Sequence, residues 1–123
     1  QKTVILDIII NNADRKAGHV LLEEHEAGDR LWLIDHGICF HTEHKLRTVI
    51  WEFAGEPIPP ELLADLASFS NKLAANEGGL RNELTRLLAQ AEVEALQRRT
   101  MRLLQEARFV SPGPGRHYPW PPV

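Results

Sequence analysis

From residue 4 to residue 10 every position but Asp7 is apolar, V-I-L-D-I-I-I, so this segment is buried whatever its secondary structure. Its Val and Ile content favours a strand by propensity. A helix covered on most sides gives the same pattern, and periodicity alone leaves both open. Further on, the apolar runs 20–22 and 31–34 flank a polar stretch containing E-A-G-D, the signature of a β-hairpin. Pro57, Pro59 and Pro60 then interrupt the chain, with Pro60 suited to the first position of a helix. After it, Leu62, Leu63, Leu66, Phe69 and Leu73 fall on one helical face. N-E-G-G at 76–79 ends that helix. Between 80 and 108 the spacing of Leu84, Leu87, Leu88, Ala91, Leu96, Leu103, Leu104 and Ala107 is again helical, as one long helix or as two with a break near Gln90. The closing V-S-P-G-P-G-R-H-Y-P-W-P-P-V is too rich in Pro and Gly for regular structure, and Tyr118 and Trp120 are expected to pin it to the body. The pattern predicts a mainly α fold with one small β-hairpin.

Composition narrows this little. The chain has 123 residues, enough for one domain and one core, with 43% hydrophobic and 25% charged residues. A formal charge of -3 leaves no basic footprint for nucleic acid, so no nucleic-acid partner is expected. The single cysteine, Cys39, excludes an internal disulfide and fits a reducing, cytoplasmic compartment. No apolar run approaches the roughly 20 residues of a membrane span, and no signal peptide is visible. A chain that opens on Gln1 is expected to be a fragment or a trimmed one.

The chemistry sits in two polar stretches, N-N-A-D-R-K-A-G-H before the hairpin and D-H-G after it. Phosphoryl transfer needs little covalent chemistry from a protein. It needs a carboxylate at the acceptor hydroxyl and metal between the phosphates. In protein kinases an Asp is followed five positions on by a metal-holding side chain, and a second Asp, two residues before a Gly, holds metal. Here Asp14 is followed five positions on by His19, which opens the hairpin, and the hairpin ends in Asp35-His36-Gly37. Two short strands folded back bring the chain to within about 5 Å laterally of its start, so Asp14, His19 and Asp35 are expected to converge.

The segment L-D-I-I-I-N-N-A-D-R-K-A-G-H-V-L-L, followed by L-W-L-I-D-H-G-I-C-F, resembles the catalytic segment of the phosphatidylinositol 3-/4-kinase superfamily. The type II phosphatidylinositol 4-kinases and an actinobacterial kinase-like group are the nearest likenesses. The family segment is a helix ending in Leu-Asp-(aromatic)-Ile-Ile, then Asn-x-Asp-Arg, then a hairpin ending in Ile-Asp-x-Gly. Leu6, Asp7, Ile9 and Ile10 take the first part, Asn12, Asp14 and Arg15 the second, and Ile34, Asp35 and Gly37 the third. The resemblance implies a helix at the start of the chain and the C-terminal lobe of a protein-kinase-like α+β fold over 1–110. Within it lie a catalytic loop at 11–19, a hairpin at 19–35 and a helical remainder at 45–108, and a tail follows at 111–123. It implies ATP with Mg²⁺ or Mn²⁺ as cofactors and a lipid, protein or small-molecule hydroxyl as acceptor. Asp14 becomes the catalytic acid/base and Lys16 its phosphate-contacting neighbour. Asn12, His19 and Asp35 become the cofactor-binding set, with metal on His19 and Asp35. Beyond residue 40 the likeness is looser, carried by L-R-T-V-I-W-E-F-A-G-E-P-I-P, A-E-V-E-A-L and Y-P-W-P-P-V.

Two departures are visible. The family carries Asn where this chain has His19, and an imidazole is softer than an amide oxygen, favouring Mn²⁺ or a transition ion over Mg²⁺. No Gly-rich phosphate loop or strand-borne Lys precedes the segment. The chain alone is therefore expected to be inactive, with an apolar seam where an N-terminal lobe would sit and a homodimer possible through that seam. The alternative is a non-catalytic pseudokinase or interaction module. A metal-dependent hydrolase is a third reading, and His36, His41 and His44 suggest a zinc site only by proximity, since H-x₄-H-x₂-H matches no specific ligand spacing. Among the remaining residues, Asn12 also suits a loop brace, Arg15 an internal salt bridge and Cys39 a small core position. Arg98, Arg99, Arg102 and Arg108 form a basic cluster that suits a solvated helix face or a phospholipid headgroup site.

Overall fold

A computed structural model describes residues 1–75 and 79–123. The order is α1 (Lys2–Ile10), a 3₁₀ turn (Ala17–His19), β1 (Val20–Glu23), β2 (Arg30–Leu33), α2 (Pro60–Ala74), α3 (Leu80–Leu87) and α4 (Gln90–Glu106). The fold is thus mainly helical, with four helices and one antiparallel two-stranded hairpin among the described residues.

The first segment is a helix and not a strand. Its β-branched residues find partners on several sides, and packing overrides propensity. Val4, Ile5, Ile8, Ile9 and Ile10 all join the core, with Leu62, Leu66 and Leu73 from α2 and Leu96 and Leu103 from α4. α1 stops at Asn11, whose φ of 54° and ψ of 52° are left-handed, a conformation Asn tolerates better than most side chains. The Asn12 N–H closes the end on the Asp7 carbonyl at 2.9 Å.

α2 begins with Pro60 at its first position, Glu61 in the first turn and Lys72 in the last, matching the polarity of the helix dipole. Of the two arrangements the spacing allows, the broken one forms: Leu88 and Ala89 are extended, and α4 restarts with the Glu92 carboxylate accepting the Ala89 N–H at 2.7 Å. α4 packs on α1, α2 and α3 and is the central helix of the core. It ends at Ala107, also left-handed, and the chain then pairs with the 55–58 segment through Phe109 N–H to the Glu56 carbonyl and Ile58 N–H to the Ala107 carbonyl.

The tail is pinned, but not by the residues expected. Tyr118 is 49% exposed and Trp120 78%, while Pro119 is buried. The His117 carbonyl accepts from Thr48 N–H and from the Trp51 indole, and Ala17 N–H reaches the Pro122 carbonyl at 3.0 Å. Large aromatics flanked by prolines turned outward because backbone groups supplied the anchoring. Among the described residues no helix is long and apolar enough to cross a membrane.

Candidate functional site

The site is built on a buried ion pair. Asp7 on α1 and Arg15 in the following loop are both almost fully buried, and they meet as a fork. Arg15 Nε donates to Asp7 Oδ2 and one terminal nitrogen to Oδ1, each at 2.9 Å. A bidentate pair satisfies the geometric condition for burying two charges. The same guanidinium reaches the hairpin base. It donates to the carbonyls of His19 (3.4 Å) and Ile34 (3.2 Å), which face each other across the ladder, and to His36 Nε2 at 3.0 Å. One arginine therefore fixes both ends of the hairpin against α1.

Asn12 completes the brace. Its Nδ2 donates to Asp7 Oδ1 and its Oδ1 accepts the Asp14 N–H, each at 3.0 Å. With both ends of a buried amide engaged, Asn12 shapes the loop that presents Asp14. Main-chain bonds hold the same loop: Arg15 N–H to the Arg47 carbonyl, Arg47 N–H to the Asn12 carbonyl and Ala13 N–H to the Ile38 carbonyl.

On this frame the other candidates fall into two contacts. Lys16 Nζ lies 3.6 Å from Asp14 Oδ2, and His19 Nε2 lies 3.4 Å from Asp35 Oδ2. A backbone contact joins them, since Lys16 N–H points at His19 Nδ1 at 3.4 Å. An imidazole that accepts at Nδ1 carries its proton on Nε2, the atom facing Asp35. Asp14, Lys16 and His19 are half-buried, while the Asp35 side chain is 58% exposed and open to a ligand. Asp35 also has a φ of 56°, an uncommon value outside glycine and one that clusters at functional sites.

These groups fit a phosphate-bound divalent ion in part. Asp35 offers an exposed, hard carboxylate, and a Mg²⁺ held mainly by phosphates asks for only one or two protein ligands. His19 would ligate through Nε2 only after its proton moved to Nδ1 and the Lys16 N–H contact opened. Among the described residues no group of three or more His, Cys, Asp or Glu side chains could hold a metal ion. His36 is engaged by Arg15, so the histidines after the hairpin do not assemble a zinc site.

Cys39 packs against the core, and burial pushes its thiol up to about 11, with the Asp7 carboxylate adding to the shift. That is a structural thiol, not a nucleophile. Sequence reasoning took Asp7 only as a motif position and gave Arg15 no partner. The available signal was the lone acid in an otherwise apolar run, which must find a cation if it is buried.

Fold and site together define a helical domain carrying a loop carboxylate and a hairpin carboxylate on one braced frame. No family model matches the chain, and no solved structure matches it. The chain is similar to Protein Rv2133c of Mycobacterium tuberculosis (strain ATCC 25618 / H37Rv), 41% identical over 123 residues, 98% of this chain and 41% of that protein. It is also similar to Phosphatidylinositol 4-kinase gamma 4 of Oryza sativa subsp. japonica, 40% identical over 72 residues, 55% of this chain and 13% of that protein. The chain thus spans less than half the length of either curated relative.

Proposed function

We propose that this chain is the catalytic part of a C-terminal lobe in a longer, bacterial, ATP-dependent phosphotransferase of the phosphatidylinositol 3-/4-kinase type. It would act on a hydroxyl acceptor in the cytoplasm, where ATP is at hand. The observation that carries the proposal is the hairpin base. Arg15 locks both its ends, sets His19 and Asp35 3.4 Å apart, and belongs to the loop that carries Asp14. The similarity to a plant phosphatidylinositol 4-kinase over 55% of the chain supports the same class.

In this reading Asp14 orients the acceptor hydroxyl and takes its proton, and Lys16 contacts the transferred phosphoryl group. Asp35, with His19, holds the cation that neutralises the phosphates. The cation supplies charge stabilisation when bound, and the protein supplies position. The acceptor is a lipid, protein or small-molecule hydroxyl, and fold alone does not choose among them.

The test is phosphotransfer from ATP by the full-length protein beside its Asp14→Asn and Asp35→Asn variants. Asp14→Asn is expected to lose about 10²–10⁴-fold in kcat, the usual worth of a positioned acid/base, and Asp35→Asn to lose turnover with the cation's carboxylate. Wild-type turnover by both variants would overturn the assignment. A second reading, a pseudokinase, is favoured by the 3.4 Å contact between His19 Nε2 and Asp35, which already occupies the imidazole atom a cation would need. It predicts that the full-length protein binds nucleotide or a partner protein and shows no transfer with either Mg²⁺ or Mn²⁺.

A further inference from the structure

The basic cluster on α4 is not a solvated face throughout. Arg99 lies across the helix interface, its Nε donating to the Ile9 carbonyl at 2.8 Å and one terminal nitrogen to the His41 carbonyl at 3.0 Å. Its other terminal nitrogen is buried and has no hydrogen-bond partner among the described residues. A buried donor left unpaired is costly, more so on a charged group, so its presence asks for an acceptor. Arg99 also makes no ion pair among the described residues, and burial together with the Arg98 charge pushes its guanidinium down to about 10.

Two adjoining hollows of about 270 and 310 Å³ flank this residue and share Arg99, Arg102 and His44 as walls. Arg98 lines the larger one. Arg98 and Arg102 stand one turn apart on α4, and with Arg99 all three line the larger hollow. The one carboxylate in these walls, Glu106, is already engaged by Arg102 Nε at 2.9 Å. A local excess of positive charge on a chain whose formal charge is -3 is therefore built into α4, away from Asp14 and Asp35.

The geometry points to a phosphate-binding site between α4 and the 41–46 segment, formed by Arg98, Arg99, Arg102 and His44, for a phosphomonoester group of a soluble metabolite or a lipid headgroup. Guanidinium forks match phosphate oxygens two at a time, and a dianion neutralises what one carboxylate does not. The exposed side chains of Arg98 and Arg102 swing to admit the group, and the Arg99 nitrogen below gains its missing acceptor. The site does not depend on the phosphotransfer reading.

The experiment is equilibrium binding of inorganic phosphate to the chain at ionic strength held constant with chloride. It is paired with cosedimentation on phosphatidylcholine vesicles carrying either phosphatidic acid or phosphatidylglycerol. The comparison variant is Arg98→Gln/Arg102→Gln, which alters two exposed side chains and spares the backbone contacts of Arg99. Wild type is expected to bind phosphate at least about tenfold more tightly than this variant, as the loss of charge-assisted bonds requires. If free phosphate competes wild type off phosphatidic acid vesicles, the ligand is a soluble phosphate. Selective vesicle binding that resists such competition and is lost in the variant assigns a headgroup. Equal behaviour of wild type and variant in both assays, or equal binding to phosphatidylglycerol, overturns the proposal.

Discussion

At the scale of single residues, Asp7 and Arg15 carry the arrangement. Removing one member of a buried, hydrogen-bonded pair leaves the other charge uncompensated, at about 3–5 kcal/mol. Asp7→Asn should lower the unfolding free energy measured in urea by that much, and Arg15→Met should in addition release the hairpin base, read as faster hydrogen exchange at the Ile34 amide, which bonds the His19 carbonyl. Cys39 gives a second residue-scale outcome. Its folded-state pKa is raised from 9.0 to about 11, so the folded chain holds the thiol proton more tightly than the unfolded one does. Its contribution is complete below pH 9 and fades as pH rises from there through about 11. Alkylation of Cys39 at pH 8 should run about a hundredfold slower than for a free thiol, and Cys39→Ala should flatten the loss of stability above pH 9. His19 adds a third. On the proposed phosphotransferase reading, His19→Asn in the full-length protein replaces an imidazole with an amide oxygen and should move the activity ratio from Mn²⁺ toward Mg²⁺. Spacing and resemblance single out Asp14, Lys16, His19 and Asp35, and the structure sets them in two contacts, Lys16 with Asp14 and His19 with Asp35. The lone acid Asp7 in an apolar run asks for a cation, but which cation, and the further Arg15 contacts to the hairpin base, depend on chain folding that local sequence does not record.

At the scale of elements, the apolar spacing identified α2, the hairpin and the helical stretch that became α3 and α4; α2 and α4 bury the stripe the spacing marks, whereas α3 and the hairpin leave most of theirs exposed. Helix against strand for α1 lay beyond the pattern, since a segment covered all round has no polar face to set the period. The energetic weight of the elements is uneven. Val93, Leu96 and Leu103 on α4 are essentially inaccessible, whereas Leu87 at the end of α3 is exposed although it belongs to the same sequence periodicity. Leu96→Ala should therefore cost about 2–5 kcal/mol in chemical denaturation. Leu87→Ala should stay within about 0.5 kcal/mol. Similar costs for the two would mean that α4 is not the central helix.

At the scale of the whole molecule, the hairpin is the part that the chain does not complete. Register pairs Val20 with Leu33 and Leu22 with Leu31, so four aliphatic side chains share one face. Leu22 is 57% exposed and Leu31 61%. On the opposite face the Trp32 indole donates to Glu23 at 2.7 Å and the Arg30 guanidinium stacks over its ring, though Leu21 and Trp32 stay exposed there. A two-stranded ribbon is marginal in water by itself, and an aliphatic face on it calls for a cover. The longer relatives contain chain enough to supply one. In its absence a second copy of this chain is the available partner, and the seam expected from the sequence becomes a concentration-dependent association. Leu22→Lys/Leu31→Glu keeps an opposite-charge pair across the ladder and removes the apolar area. By sedimentation velocity the isolated chain should shift toward larger species as concentration rises, while the charged variant stays monomeric with its thermal midpoint little changed. On the proposed kinase reading, in which the rest of the full-length protein would cover this face, the same two substitutions should weaken its nucleotide binding. An isolated chain that stays monomeric at high concentration, beside a full-length variant with unaltered nucleotide binding, would show that the aliphatic face is a tolerated surface and not a seam.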